Sequence, residues 1–368
     1  MTTPIYMDYN ASVPIRPEAA SAMNAALALG GNPSSVHAHG RRARRAIEDA
    51  REQVAAAIGA PAPTIVFTSG ATEANGLALS GSGRARILVS AIEHDSVRGA
   101  CATAEIIPVT PAGLVDLEAL SRMLGSDARP ALVSLMLANN ETGVIQPVAE
   151  AAEIAHAHRA ILHCDAVQAV GRIAVNVDNL GVDLLSLSAH KLGGPAGVGA
   201  LYRRGGVALA PQLRGGGQER GQRAGTENIS GIAGFGIAAE LADRELENAA
   251  RLADLRDELE RRMIAGHVRA VLFGTKAPRL ANTTCVALPG VSAETQVMAL
   301  DLAGVSVSAG SACSSGKLKA SAVLLAMGVA PELAGSAIRV SFGWRSEASD
   351  IDRFMTAWNG LSARSLAA

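Results

Sequence analysis

Aromatic residues make up only 3% of the 368-residue chain, which argues against surfaces that bind nucleic acid by base stacking. An excess of one charge sign is missing too. The 33 Lys and Arg nearly balance the 34 Asp and Glu, for a formal net charge of −1. That leaves no electrostatic case for nucleic acid or an acidic membrane surface as partner. No apolar run of about 18 residues suggests a membrane span. The opening MTTPIYMDYN has no basic start followed by an apolar stretch, so no signal peptide is expected and the cytoplasm is the default location. Cysteine is sparse, at positions 101, 164, 285 and 313. No pair forms C-x-x-C and no H-E-x-x-H occurs, so neither a metal site nor a structural disulfide is expected. Cys101, Cys164 and Cys285 lie among Ala, Val, Ile or Leu and read as small core residues. The 49% hydrophobic content supports an ample core, in two domains or one large one with an appendage.

What is present centres on LSLSAHKLGGPAGVG, residues 185–199. An apolar run reads as the end of a buried strand, stops at Ser188-Ala189-His190-Lys191, and gives way to glycines. An ammonium group there is costly unless it is paired or chemically used. A desolvated lysine has a lowered pKa and attacks carbonyls. Ser188 and His190 are placed to bind an anion beside it.

Upstream, the β-type run Thr64–Thr68 is followed by SGATEAN and a helical pattern. Such a strand–turn–helix points backbone N–H groups, here of Ala71 and Thr72, and a helix dipole at an anion. The turn lacks the Gly-Lys-Ser/Thr ending of a P-loop. Strand patterns at 86–90, 105–109, 131–137, 161–164, 183–187 and 198–202 then alternate with helical patterns at 95–103, 116–124 and 147–159. This alternation predicts an α/β fold with a mostly parallel sheet, its ligand at the carboxyl ends of the strands. Successive strand exits carry His94, Asn140, Asp165 with Gln168, and Lys191. Each alone has an ordinary structural reading. Together with an anion-binding turn they match the needs of pyridoxal 5′-phosphate: an imine-forming lysine, an aspartate to protonate the ring nitrogen, a flat imidazole to stack and amides to hold the ring.

The opening, with Pro14 and Pro17, reads as an extended arm, and residues 30–35 as turns. A helix is expected over 40–58, its Arg41, Arg42, Arg44 and Arg45 forming a solvated face. The segment 214–228 is glycine-rich, basic and too polar for a core. One or two long helices to about 267 lead to a second domain. That domain has β-type runs near 271–273, 283–288 and 337–342, and helices near 293–302 and 349–361. Within it, small residues flank Cys313 on both sides, which predicts a nucleophilic thiol on a moving loop.

The motifs TSGATEAN (68–75), EHDSV (93–97), NNETGVIQP (139–147), HCDAVQAVG (163–171), SAHKLGGPAGVGALY (188–202), RAGTEN (223–228), AGSACSSG (309–316) and IRVSFG (338–343) run almost end to end. Together they resemble the cysteine desulfurases of the nitrogen-fixation and iron–sulfur-assembly type, within the fold-type I pyridoxal-phosphate enzymes, the class-V aminotransferases. The cysteine segment is similar to the longer, mobile version and not to the short R-x-G-H-x-C branch. Gly194 and Ala196 depart from relatives, which often carry larger or basic residues there. The resemblance implies a seven-stranded large domain over 15–250 and a small α+β domain made of 1–14 and 251–368. It makes Lys191 the cofactor-binding lysine. Ala71, Thr72, Ser188 and His190 would lie at the phosphate, with Thr226 reaching a partner subunit's phosphate in a homodimer. Asn140, Asp165 and Gln168 would hold the ring, and His94 would stack on it and act in proton transfer. Arg339, helped by Asn10 and Asn32, would bind the substrate carboxylate, and Cys313 would be the nucleophile. The implied reaction turns L-cysteine into L-alanine and a Cys313 persulfide, destined for an acceptor such as an iron–sulfur scaffold. The rivals are a selenocysteine lyase or aminotransferase of the same fold, or a non-catalytic sulfur-transfer scaffold.

Overall fold

Burial dictates the first layer. The strands β2 (Ile65–Thr68), β3 (Arg86–Ser90), β5 (Ala131–Met136), β6 (Ile161–Asp165) and β7 (Leu184–Ser188) are buried along their whole length. Near-continuous apolar runs of this kind suit a sheet covered on both faces. With β4 (Glu105–Ile107) and β8 (Gly199–Arg203) they form a seven-stranded sheet, order β2-β8-β7-β6-β5-β3-β4. Only β8 runs against its neighbours; every other pairing is parallel. The computed structural model describes residues 4–266, 269–310 and 320–365, and side chains to residue 361.

The helices of this region are α1 (Pro17–Leu27), α2 (Ala38–Ala56), α3 (Ala71–Gly81), α4 (Asp95–Arg98), α5 (Leu117–Gly125), α6 (Val148–Ala157) and α7 (Ile229–Glu245). On α2 the residues Ala43, Ile47, Ala50 and Val54 form a buried stripe, and the four predicted surface arginines are exposed. Two expectations fail here. Pro17 does not prolong an extended arm; it occupies the first turn of α1, where its missing N–H costs nothing. The helix expected over 95–103 ends at Arg98. Only Val97 of that turn is buried, too small an apolar face to carry a helix through Gly99.

After α8 (Ala249–Gly266) a second sheet forms, order β12-β13-β10-β9, from β9 (Val271–Phe273), β10 (Thr283–Ala287), β12 (Ser308–Ala309) and β13 (Ala337–Ser341). Helices α9 (Ala293–Leu302), α10 (Ala322–Ala326), α11 (Pro331–Ala334) and α12 (Ala348–Ser365) complete the chain. A separate core gathers Phe342, Phe354 and Trp358 with Leu259 and Val340. The N-terminal arm belongs to this side: β1 (Ile5–Tyr6) pairs in parallel with β11 (Val305–Ser306), and Ile5 and Met7 join the second core. Beyond them the arm crosses to the large sheet, where the Val13 N–H donates to the His190 carbonyl at 2.9 Å. Cys164 and Cys285 are core residues as expected, whereas Cys101 is only partly buried. Among the described residues, no helix is long and apolar enough to cross a membrane.

Candidate active site

A cavity of about 550 Å³ opens where the carboxyl ends of the parallel strands meet the second sheet, the usual ligand position in such sheets. Its volume lies within the range of small-molecule sites, about 300–1,000 Å³. At one end is the turn from β2 into α3. Gly70 adopts φ 157°, ψ 174°, a conformation essentially reserved for glycine. A Cβ there would meet nothing within 4 Å, so the turn borders open space. Ala71 and Thr72 line the cavity at the N-terminus of α3, as expected, and Ser188 and His190 line it from the end of β7. Burial and the neighbouring Lys191 lower the His190 pKa to about 4, so its imidazole is neutral at pH 7.

Lys191 ends the short 3-10 turn Ala189–Lys191 that follows β7. Its Nζ donates to the carbonyls of Asn10 at 2.6 Å and Ala11 at 2.8 Å. Burial, reinforced by the cations Arg339 and Arg172, lowers its pKa to about 7. The lysine therefore holds a large neutral fraction at neutral pH, which is what attack on an aldehyde requires.

Asp165 ends β6 and lines the same cavity. Its Oδ1 accepts from the Val167 N–H at 3.0 Å and its Oδ2 from Asn75 Nδ2 at 2.9 Å. Asn75 also donates to Ser96 Oγ at 2.9 Å, and Ser96 Oγ lies 2.8 Å from His94 Nδ1. Because His94 Nδ1 also accepts the Ser96 N–H, the ring proton is assigned to Nε2. A hydrogen-bonded chain thus joins the aspartate to the imidazole. Asn75 was not singled out from sequence; its position one turn into α3, facing the strand ends, was the available signal.

Asn140 and Gln168 line the cavity, and Gln168 Nε2 donates to the Asn10 carbonyl at 2.9 Å. Asn10 also lines it, but its side chain is spent on structure. It donates to Asn140 O and Thr283 Oγ1 and accepts from Asn282 Nδ2. Arg339 arrives from β13, 5% exposed. Asn32 lies elsewhere, exposed, its Oδ1 accepting the Ser34 N–H. Thr226 is exposed and lines a smaller cavity of about 180 Å³, which shares Ser69 and Gly197 with the main one. Cys313 lies outside the described residues.

Two buried carboxyls were missed. Glu93 lines the cavity with its pKa raised to about 8 by burial, and Glu141 is likewise raised by burial. Nothing in their local sequence separates them from surface glutamates.

The class-V aminotransferase model matches residues 5–354. The chain belongs to that family. Among class-V relatives, it is 44% identical to a cysteine desulfurase IscS of Dictyoglomus turgidum over 370 residues, covering 96% of this chain and 93% of the relative. It is 46% identical to a cysteine desulfurase of Cereibacter sphaeroides over 366 residues, covering 95% and 94%. A solved NifS-like protein from Rickettsia africae superposes with a TM-score of 0.92 at 36% identity, covering 98% of this chain and 99% of that one. The architecture is therefore that of the fold-type I pyridoxal-phosphate enzymes of class V.

The cavity fits the cofactor on its own evidence. Gln168 Oε1 and Arg339 Nε are buried at it without a partner, an arrangement that a polar ligand satisfies. The N-terminus of α3, the lysine of lowered pKa and the aspartate at the end of β6 line the same cavity.

Proposed function

We propose that the chain is a pyridoxal-phosphate-dependent cysteine desulfurase that converts L-cysteine to L-alanine and passes the sulfur to Cys313. The observation that carries this reading is the convergence of Lys191, Asp165, His94 and Arg339 on one cavity from two sheets. Lys191 holds the cofactor. Ala71, Thr72, Ser188 and His190 take the phosphate, and Asp165 keeps a proton on the ring nitrogen. Asn140 and Gln168 fix the ring's tilt. Bound pyridoxal phosphate supplies a reactive aldehyde and a ring that stores the electron pair released at the substrate Cα.

Arg339 binds the substrate carboxylate, as a guanidinium fork suits. With substrate in place, Lys191 Nζ would be free to take the α-proton. His94 would stack on the ring and move protons at the site. The Cys313 thiolate attacks the substrate sulfur. The Cβ–S bond breaks, an S–S bond forms, and after protonation at Cβ the products are alanine and a Cys313 persulfide. A free thiol has a pKa near 8.5, so a base at the site must take its proton. Thr226 completes a partner subunit's phosphate site in a homodimer. An acceptor protein of the iron–sulfur scaffold kind then receives the sulfur, in the cytoplasm. The division at about residues 14 and 250 separates a cofactor-holding domain from the one that brings Arg339 and Cys313.

The test is incubation of the purified holoenzyme with L-cysteine and a reductant, assaying sulfide and alanine together. Equal amounts of both are expected. Cys313→Ala is expected to keep the visible cofactor absorbance and lose sulfide release. Undiminished turnover in that variant overturns the nucleophile, and formation of a keto acid in place of alanine overturns the reaction class.

A further inference from the structure

Arg339 is not free in the cavity. Its Nη2 donates to Asp8 Oδ1 at 2.7 Å and its Nη1 to the Asn140 carbonyl at 3.1 Å, while Nε is buried and unpartnered. Asp8 spends its other oxygen on Ser308, whose Oγ donates to Oδ2 at 2.6 Å. Ser308 pairs with Arg339 across β12 and β13, and both line the cavity. Asp8 itself is fixed by a backbone bridge to Ser341, two residues beyond Arg339 on β13. One carboxylate of the N-terminal arm therefore grips two neighbouring strands of the second sheet at the cavity wall.

An arginine side chain has four freely rotating torsions, and holding it in one pose is entropically costly. A competing carboxyl is close: Arg339 acts electrostatically on the buried Glu141. Without a second fixed point the guanidinium swings between these acceptors. With Asp8 and Asn140 O each accepting from one terminal nitrogen, the fork has a set plane.

We propose that Asp8 is a positioning residue for substrate binding, which locks the Arg339 guanidinium in the plane that receives the α-carboxylate and ties it to Ser308 on β12. This rests on the reading of Arg339 as the carboxylate-binding residue. The hydrogen bond that Asp8 accepts is the element that sets the fork, and its loss falls on substrate binding before chemistry.

The holoenzyme carries the test. Asp8→Ala is expected to raise KM for L-cysteine about tenfold with a much smaller change in kcat. Asp8→Asn is expected to recover most of that loss. Its Oδ1 still accepts from Arg339 and its Nδ2 donates to Ser308 Oγ, so the pose survives without the charge. Binding of cysteamine, which has the amine and thiol of cysteine but no carboxylate, is followed by the change in cofactor absorbance and is expected to be insensitive to Asp8→Ala. A wild-type KM in Asp8→Ala, an equal defect in Asp8→Asn, or an equal defect toward cysteamine each overturns the proposal. If Asp8→Ala fails to fold, Ser308→Ala carries the same readout: a raised KM supports the tie, and an unchanged one overturns it. Arg339→Ala separates the two readings. If it binds L-cysteine as wild type does, the carboxylate role of Arg339 itself falls; if it loses binding while Asp8→Ala does not, only the role of Asp8 falls.

Discussion

At the scale of single residues, the chemistry turns on an amine made available by its surroundings. Lys191 donates to two backbone carbonyls, which favour its charged form, yet burial outweighs them and Arg339 and Arg172 add to the depression. The neutral amine is the species that reacts with an aldehyde. In the cofactor-free protein, the rate of pyridoxal-phosphate uptake is therefore expected to rise with pH through about 7 and to level off above pH 8. The visible absorbance of the loaded protein follows it. A rate that keeps climbing to pH 10, the range of an ordinary lysine, contradicts this placement. Asp165, His94 and Lys191 were readable in the sequence because each sits at a strand exit, and strand exits share one edge of the sheet. Asn75 was not, because its role depends on what faces it in space, and Glu93, beside His94 at the same exit, is set apart only by its burial.

At the scale of elements, the cofactor cradle rests on one glycine beneath it. Gly199 starts β8, in register with Thr68 on one side and Ser188 on the other. A Cβ on it would come within 2.6 Å of both the Gly70 carbonyl carbon and the Leu187 oxygen. Both are backbone atoms that no rotamer change can move aside. Gly199→Ala is therefore expected to displace the turn before α3. Cofactor retention should fall at least about tenfold, which needs a loss of only ~1.4 kcal/mol of binding energy. Equilibrium dialysis measures the retention, with far-UV circular dichroism as the control for folding. Retention equal to wild type removes the close approach from the account of the site. Elements of this sheet were legible because buried strands and amphipathic helices declare themselves by pattern. The segment 214–228 shows the limit. It read as too polar for a core, yet Glu219 is buried in a bidentate pair with Arg51 at 2.7 and 2.9 Å and accepts the Phe67 N–H. That pair joins residues 168 positions apart, and no local window contains both. The Asp8–Arg339 pair, 331 positions apart, escaped the sequence reading for the same reason.

At the scale of the whole molecule, the proposed homodimer makes each cofactor site a shared one. The Thr226 loop is fastened by the Arg51–Glu219 pair and by Arg223 bonded to Glu73 at 2.9 Å, so Thr226 is presented from a fixed base. If it serves the partner's phosphate, a defect in one chain is repaired by the other. Thr226→Ala and Lys191→Ala proteins, mixed under conditions that exchange subunits, are expected to give more sulfide than the sum of the two alone. The hybrid contains one site with both residues intact. No gain on mixing, with exchange verified, assigns Thr226 to its own subunit's site instead. The N-terminal arm has a further consequence, for biosynthesis. Its residues leave the ribosome long before their partners do: Ile5, Asp8 and Asn10 pair with Val305, Arg339 and Thr283. A nascent polypeptide that has emerged only through α7 holds the strands of the large sheet and the reactive amine while the opposite wall is still untranslated. Translation order thus postpones a complete pocket until Arg339 has been made, and a product terminated before it is left with an amine but no place to hold an amino acid.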